Sequence, residues 1–340
     1  MISTPFPDPP TEGQAVEVAD GVLWMRLPLP MALDHVNVYA LDEGNGWTIV
    51  DTGFDNARAR LAWAALRAGP LAGGPVRRVI ATHHHPDHIG LAGWFMQTDA
   101  AELMVSRTAW LMTRMLQLDV QDRPLPEALE FWKRAGMPAD ILARRAAQRP
   151  FNFADMTHPL PPGFTRLSEG AEVIFGQRRW HVAMGDGHAP RHATFWSKDD
   201  DLVIGGDQLL PSISPNLGVY VNEPDADPVG EWLDSCARLA ELARPDQLVL
   251  PGHKLPFRGL PLRLAQMIDN HREALERLAA ALRESPHSAV GCFDILFRRR
   301  IDESTFGLAM VEAIAHINHL RLRGIVHQVG ERDGAVLWGA

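Results

Sequence analysis

Nine consecutive residues, Thr82-His83-His84-His85-Pro86-Asp87-His88-Ile89-Gly90, constrain this chain more than any other stretch. They follow a short apolar run, residues 76 to 81, that reads as a strand. One imidazole cannot hold a divalent ion tightly, but several converging ones can, so the segment reads as metal-ligating. His83 and His85 are two apart, and continued strand geometry would put them on the same side. Pro86 favours a turn, which would carry Asp87 and His88 toward a second point nearby. One loop could then give two ligands to each of two metals, with His84 pointing away. The alternative is a histidine-rich surface loop. Three adjacent histidines followed by Asp-His at the end of a hydrophobic strand weigh against it.

The rest of a two-metal set is expected downstream, again at strand ends. Gly187-His188-Ala189-Pro190 follows a strand through residues 181 to 183, and Gly205-Gly206-Asp207 follows one ending at Ile204. Pro251-Gly252-His253 follows one ending at Leu250. Each candidate sits beside glycine, where the backbone can turn tightly. A thiolate site is disfavoured, because the only cysteines, Cys236 and Cys292, form no Cys-x-x-Cys pair and read as reduced, partly buried thiols.

The 340 residues suffice for one large domain with an appendage, or for two domains. Residues 16 to 27, 35 to 41 and 47 to 50 read as strands, and Asp51-Thr52-Gly53 ends the last of them sharply. Helices are predicted over 56 to 67 and 90 to 96, with a strand at 103 to 106. Residues 108 to 156 read as an all-helical insertion, where Gly136 can close one helix and Pro138 open the next. Its large apolar residues, such as Trp110, Met115 and Phe131, suit either the wall of an apolar substrate pocket or the core of a helical layer. Strands are predicted again at 172 to 175, 179 to 183, 193 to 196, 202 to 204 and 247 to 250, with a helix at 228 to 243. This alternation suggests two sheets with helices outside them.

Beyond residue 261 the character changes. Leu264, His271 and Leu278 form one series at intervals of seven, and Ile268, Leu275 and Leu282 a second. This is the seam of an amphipathic helix, for packing within the chain or for a homodimer. A helix at 306 to 322 and a hairpin of 324 to 326 with 335 to 338, turning at Asp333-Gly334, complete a winged-helix-like order. The expected domains are therefore a catalytic domain, 1 to 260, and a C-terminal domain, 261 to 340.

Five motifs, Asp51-Thr52-Gly53, Thr82 to Gly90, Gly187 to Pro190, Gly206-Asp207 and Pro251-Gly252-His253, occur in the order found in the metallo-β-lactamase-fold (glyoxalase II-like) metallohydrolases. The chain resembles that family over roughly residues 16 to 260. The resemblance implies an α/β fold, an αββα sandwich with two metals at one edge. It implies that His83, His85 and His188 bind the first metal, that Asp87, His88 and His253 bind the second, and that Asp207 bridges them. The C-terminal segment around residues 313 to 324 resembles the small winged-helix tail of some members. Two departures stand out. Arg191 occupies a position where the family often has glycine, and reads as a contact for an anionic substrate or as an ordinary exposed side chain. The cysteine ligand of the true zinc β-lactamases is missing, which argues against antibiotic hydrolysis.

Three histidines suit zinc, and the added carboxylates also suit iron or manganese. Two such metals would activate a water for attack on a thioester, lactone or ester, with Asp87 or Asp207 passing a proton to the leaving group. Asp51 reads as a residue that orients a ligand loop or simply ends a strand; His181 and His192 read as supporting rather than ligating. Two alternatives stay open. One is cleavage of single-stranded RNA, suggested by the winged-helix-like tail; the one basic run, Arg298-Arg299-Arg300, reads as a solvated face. The other is mono-iron dioxygenase chemistry, which would not need Asp87, His88 and His253. A formal charge of −9 speaks against nucleic acid as a partner and leaves a small, apolar or acyl substrate as the expectation. No stretch has the apolar length of a membrane span, and the N-terminus lacks the pattern of a secretory signal, so the expected location is cytoplasmic.

Overall fold

A computed structural model describes the chain except Arg298 and Arg299, so most of the basic run lies outside the described residues. Contacts divide the chain into two units. The first comprises Met1–Val120, Asn152–Pro215 and Leu239–Leu264; the second comprises Gln121–Phe151, Asn216–Arg238 and Ala265–Ala340. This division groups most of the helical insertion with the C-terminal segment, whereas the boundary expected from sequence falls at residue 260. Among the described residues no helix is long and apolar enough to cross a membrane.

In the first unit, β1 (Val16–Ala19), β2 (Val22–Pro28), β3 (His35–Asp42), β4 (Trp47–Val50), β5 (Val76–Ile80), β6 (Glu102–Ser106) and β7 (Thr165–Leu167) form one sheet in that order. Pairing is antiparallel from β1 to β4 and parallel from β4 to β7. A second sheet has the order β12-β11-β10-β9-β8, built from β8 (Glu172–Phe175), β9 (Arg178–Gly185), β10 (His192–Ser197), β11 (Leu202–Gly206) and β12 (Leu248–Pro251). Side chains alternate across each strand. Tyr39 and Leu41 of β3 join Trp180, Val182, Phe195, Ile204 and Leu250 in a core between the sheets. Val36, Val38 and Ala40 face the other way, against α1 (Ala57–Ala68), α3 (Ala92–Thr98) and α4 (Arg107–Leu118). Val203 and Val249, on the far side of the second sheet, are fully buried as well, so that face is covered too. This is the stacked mixed α/β architecture expected.

The second unit contains α5 (Pro126–Arg134), α6 (Ala139–Ala147), most of α7 (Pro228–Ala240) and α8 (Leu260–Glu284), α9 (Phe293–Leu296), α10 (Phe306–Leu322) and the hairpin of β13 (His327–Arg332) with β14 (Ala335–Gly339). Asp227 ties the 216–238 segment to α10, with His319 Nδ1 and an Arg323 nitrogen each 2.9 Å from its oxygens. His271, from the heptad-like seam of α8, is buried and stacks on His316 of α10 with centroids 5.5 Å apart.

Three boundaries differ from the sequence reading. Residues 16 to 27 are a hairpin rather than one strand, because the chain reverses at Asp20-Gly21. β7 was not predicted; it has three residues, two of them exposed, too few to show a period. The first hairpin strand lies at His327–Arg332 rather than at 324 to 326. Its polar, mostly exposed residues carry no apolar alternation.

Phe195 packs edge-on to Phe175 at 5.4 Å between the sheets. Phe195→Ala is expected to cost about 3–5 kcal/mol in urea denaturation; a loss under about 1 kcal/mol would contradict the described packing. The second unit carries a pH dependence. Burial lowers His271 to about 3 and His316 to about 4, from an ordinary value of 6.5. The unfolded chain takes up these protons first, so their contribution is intact above pH 6.5 and is lost as the pH falls from there, toward about 4 for His316 and about 3 for His271. His271→Leu should flatten that loss in denaturation curves run at successive pH values, and an unchanged slope would refute the assignment.

Candidate metal centre

Two parallel neighbours, β4 and β5, end side by side and set the site. Asp51 follows β4 in the left-handed region, φ 61, and its N–H bonds to Ile80 O at 2.9 Å. The strand stops at Ile80, so His83 and His85 are not brought together by strand alternation as the sequence reading supposed. A loop does it instead, placing His83 Nε2 2.9 Å from His85 Nδ1, which is 3.0 Å from His188 Nε2. Pro86 then opens the short α2 (Pro86–Ile89), and its single turn presents Asp87 and His88.

The second cluster forms at that turn. Asp87 Oδ2 lies 3.5 Å from both His88 Nε2 and His253 Nε2. Asp207 lies between the clusters: Oδ2 is 3.4 Å from His188 Nε2 and 3.3 Å from His253 Nε2, and Oδ1 is 3.5 Å from His88 Nε2. Three overlapping groups result, His83-His85-His188, His83-His88-Asp207 and Asp87-His88-His253, each with donor atoms within 4.8 Å of one another. All seven residues expected from sequence therefore converge, and all lie in the first unit.

The rings are aimed by hydrogen bonds on their outer nitrogens. His88 Nδ1–H donates to Asp51 Oδ2 at 2.7 Å, and His253 Nδ1–H to His35 O at 2.8 Å. His83 Nδ1 bonds to Thr82 Oγ1 at 3.0 Å, and the Thr82 hydroxyl donates to Asp51 Oδ2 at 2.9 Å. Each of these rings thus turns its Nε2 inward. Asp51 therefore orients the ligand loop. His192, stacked on His83 with centroids 4.6 Å apart, accepts the Asp207 N–H on Nε2 at 3.1 Å. His84 and His181 join none of the groups. Arg191 closes the His188 loop through its backbone, donating its N–H to Asp186 Oδ1 at 2.7 Å, while its guanidinium stands 3.9 Å from Glu169. At Gly252 a Cβ would meet Asp207 Oδ1 at 2.2 Å, so only glycine lets this turn approach the centre.

Charge differs between the clusters. Burial, reinforced by neighbouring imidazoles, pushes His83 and His85 well below the usual range, so both are neutral with available lone pairs. Burial opposes protonation of His88 and His253 too, but Asp207 and Asp87 outweigh it, raising His253 to about 10. Burial works against ionisation of Asp87 and Asp207, yet the adjacent His88 and His253 hold both carboxylates below their ordinary value. Among the described residues, His88 Nε2 and Asp207 Oδ1 are buried without a hydrogen bond. Converging imidazole nitrogens, ionised carboxylates and buried polar atoms that lack a hydrogen bond all fit divalent cations. The sequence reading passed over His35 and its neighbours in β3; the signal was polar residues at alternate positions of an apolar strand.

Comparisons with known proteins agree with this geometry. The family model described as "Metallo-beta-lactamase superfamily" matches residues 31–253, and "Metallo-beta-lactamase-like, C-terminal domain" matches residues 275–339. The curated protein named "Probable metallo-hydrolase YqjP" of Bacillus subtilis (strain 168) is 27% identical over 308 residues, 88% of this chain and 92% of that protein. The crystal structure of a beta-lactamase domain protein from Burkholderia ambifaria is 36% identical with TM-score 0.88, covering 99% of this chain and 97% of that one. A metallo-beta-lactamase family protein from Thermus thermophilus is 25% identical with TM-score 0.77, covering 95% and 99%.

Removing the Asp51 carboxylate frees His88 Nδ1 and leaves the Thr82 N–H buried without its acceptor. Asp51→Ala should weaken zinc binding about 10- to 100-fold in a chelator competition. Unchanged affinity in a folded variant would reduce Asp51 to a strand-end residue.

Proposed function

The chain belongs to the metallo-beta-lactamase superfamily of metal-dependent hydrolases, and from that premise we propose that it uses two divalent metals to cleave a carboxylic ester-type bond, a thioester, lactone or ester, in a small apolar substrate. The observation that carries the two-metal reading is the position of Asp207, whose Oδ2 lies within 3.4 Å of both His188 Nε2 and His253 Nε2. His83, His85 and His188 would hold one ion, Asp87, His88 and His253 the other, and Asp207 both. Zinc suits this donor set, and iron or manganese is compatible with it. Bound there, the metals supply Lewis acidity, acidifying a water and stabilising the charge that develops on the acyl oxygen.

The chain's own residues supply orientation and proton transfer. Asp51, through Thr82 and His88, fixes the ligand loop, and His192 holds the Asp207 backbone. Asp87 is the more open carboxylate, its side chain 17% exposed against 8% for Asp207. Its Oδ2 faces His88 and His253, which leaves Oδ1 to take a proton from water and return it to the leaving group. The apolar-substrate reading rests on the large apolar residues of the 108–156 insertion; three of them, Leu111, Met115 and Leu118 of α4, are exposed at helical spacing.

Elemental analysis and a panel of acyl thioesters, lactones, aryl esters and single-stranded RNA test this. Two metals per chain and turnover of an ester-type class are expected. Asp207→Ala should lower kcat/KM about 10²- to 10⁴-fold, and a loss under about tenfold would sink the two-metal mechanism. Cleavage of RNA alone would replace the ester reading with phosphodiester hydrolysis. A single iron per chain would favour the dioxygenase reading.

A further inference from the structure

Three polar residues at alternate positions of β3, His35, Asn37 and Tyr39, face one turn, residues 251 to 254, which carries His253. His35 contributes twice: its carbonyl accepts His253 Nδ1–H at 2.8 Å, and its Nε2 accepts the Lys254 N–H at 3.1 Å. Tyr39 donates its hydroxyl to Pro251 O at 2.8 Å.

Asn37 does most. Its N–H donates to Gly252 O at 2.7 Å, and its Nδ2 donates to Pro251 O and Lys254 O, both at 2.9 Å. Its Oδ1 accepts Trp24 Nε1–H at 2.9 Å and Arg26 Nε–H at 3.2 Å. Both amide hydrogens and both oxygen lone pairs are used, so the side chain has one orientation, in a place where it is 1% exposed. Two donors on the oxygen and two acceptors on the nitrogen also exclude the flipped amide. Arg26, opposite Asn37 in the β2–β3 register, adds a bond from its guanidinium to Lys254 O at 3.0 Å.

The turn needs this grip. Lys254 adopts φ 72, a left-handed conformation that residues with a Cβ disfavour. It is held there at both ends, its N–H by His35 and its carbonyl by Asn37 and Arg26. The His83-His85-His188 cluster depends instead on Thr82 and Asp51, and none of the Asn37 hydrogen bonds reaches it.

We propose that Asn37 is a positioning residue that sets metal occupancy of the His253 half of the centre, by fixing the turn that aims His253 Nε2, and leaves the His83-His85-His188 half unaffected. This rests on the two-metal reading above. A side chain that only filled space would weaken the fold as a whole and not one metal equivalent.

The test is zinc binding by the full chain, followed by chelator competition and elemental analysis. Asn37→Asp keeps the size but turns an oxygen toward the carbonyls of Pro251 and Lys254. One zinc equivalent should lose affinity about 10- to 100-fold, and the other should stay within about threefold. His253→Ala should lose the same equivalent, and the double variant should lose little more than either single one. Asn37→Ser removes both side-chain bonds to the turn without adding charge, and gives the same readout if the aspartate variant fails to fold. Melting followed by circular dichroism checks that each variant is folded. Two separable equivalents in the wild type that both persist, or that weaken in parallel, in a folded Asn37 variant would overturn the role. A wild type holding one zinc per chain would instead refute the two-metal reading.

Discussion

The carboxylate of Asp51 accepts three hydrogen bonds in a place where the residue is 2% exposed. Two come from Thr82, its N–H and its hydroxyl, and one from His88 Nδ1. A buried carboxylate is costly unless donors surround it, and here the donors are the first and last parts of the ligand loop. The same interaction that stabilises Asp51 therefore fixes where the loop starts and how His88 is turned. Thr82 extends the effect to His83, so one side chain at the end of β4 orients ligands of both clusters. The parallel pairing of β4 and β5 makes this possible, because parallel neighbours end at the same edge of the sheet.

The clusters solve different electrostatic problems on that common base. His83 and His85 are desolvated among other imidazoles and stay neutral, so their lone pairs are available without losing a proton. His88 and His253 lie against Asp87 and Asp207, which favour a positive charge between them. A metal bound there would compete with protons for the same Nε2 atoms. The Nδ1 bonds to Asp51 and to the His35 carbonyl settle which nitrogen is left for that competition. Asp207 touches both environments, so its backbone must be held firmly, and His192 does this by accepting its N–H.

Much of the site was legible in the sequence because its signals are local. Histidines close together at a strand end, and glycine beside each downstream ligand, follow from what a loop needs to approach a cation. The same reading misjudged how His83 and His85 meet, because strand alternation was extended past Ile80, where the backbone leaves the sheet. It missed β7 and shifted β13, whose short or polar strands carry no apolar period. The assignment of residues 121 to 151 and 216 to 238 to the second unit depends on contacts such as Asp227 with His319, 92 positions apart, which no window along the chain can register.

The role argued for Asn37 was hidden for another reason. In the sequence it is one polar residue in an apolar strand, and its partners lie 11 to 217 positions away. Polar residues are costly inside a core, so a buried asparagine persists there only when each of its hydrogen-bonding groups finds a partner. In β3 those partners sit in two places at once: Trp24 and Arg26 on the neighbouring strand, and the turn that bears His253. Strand register therefore controls ligand aim. Shifting β3 by one residue would turn His35, Asn37 and Tyr39 to the opposite face of the sheet. The turn would then lose its donors at Pro251 and Lys254, and His253 would lose the carbonyl that selects its Nε2. The sheet in this protein is thus part of the candidate metal centre, because the hydrogen bonds that aim His253 are set by the same alternation that packs the core.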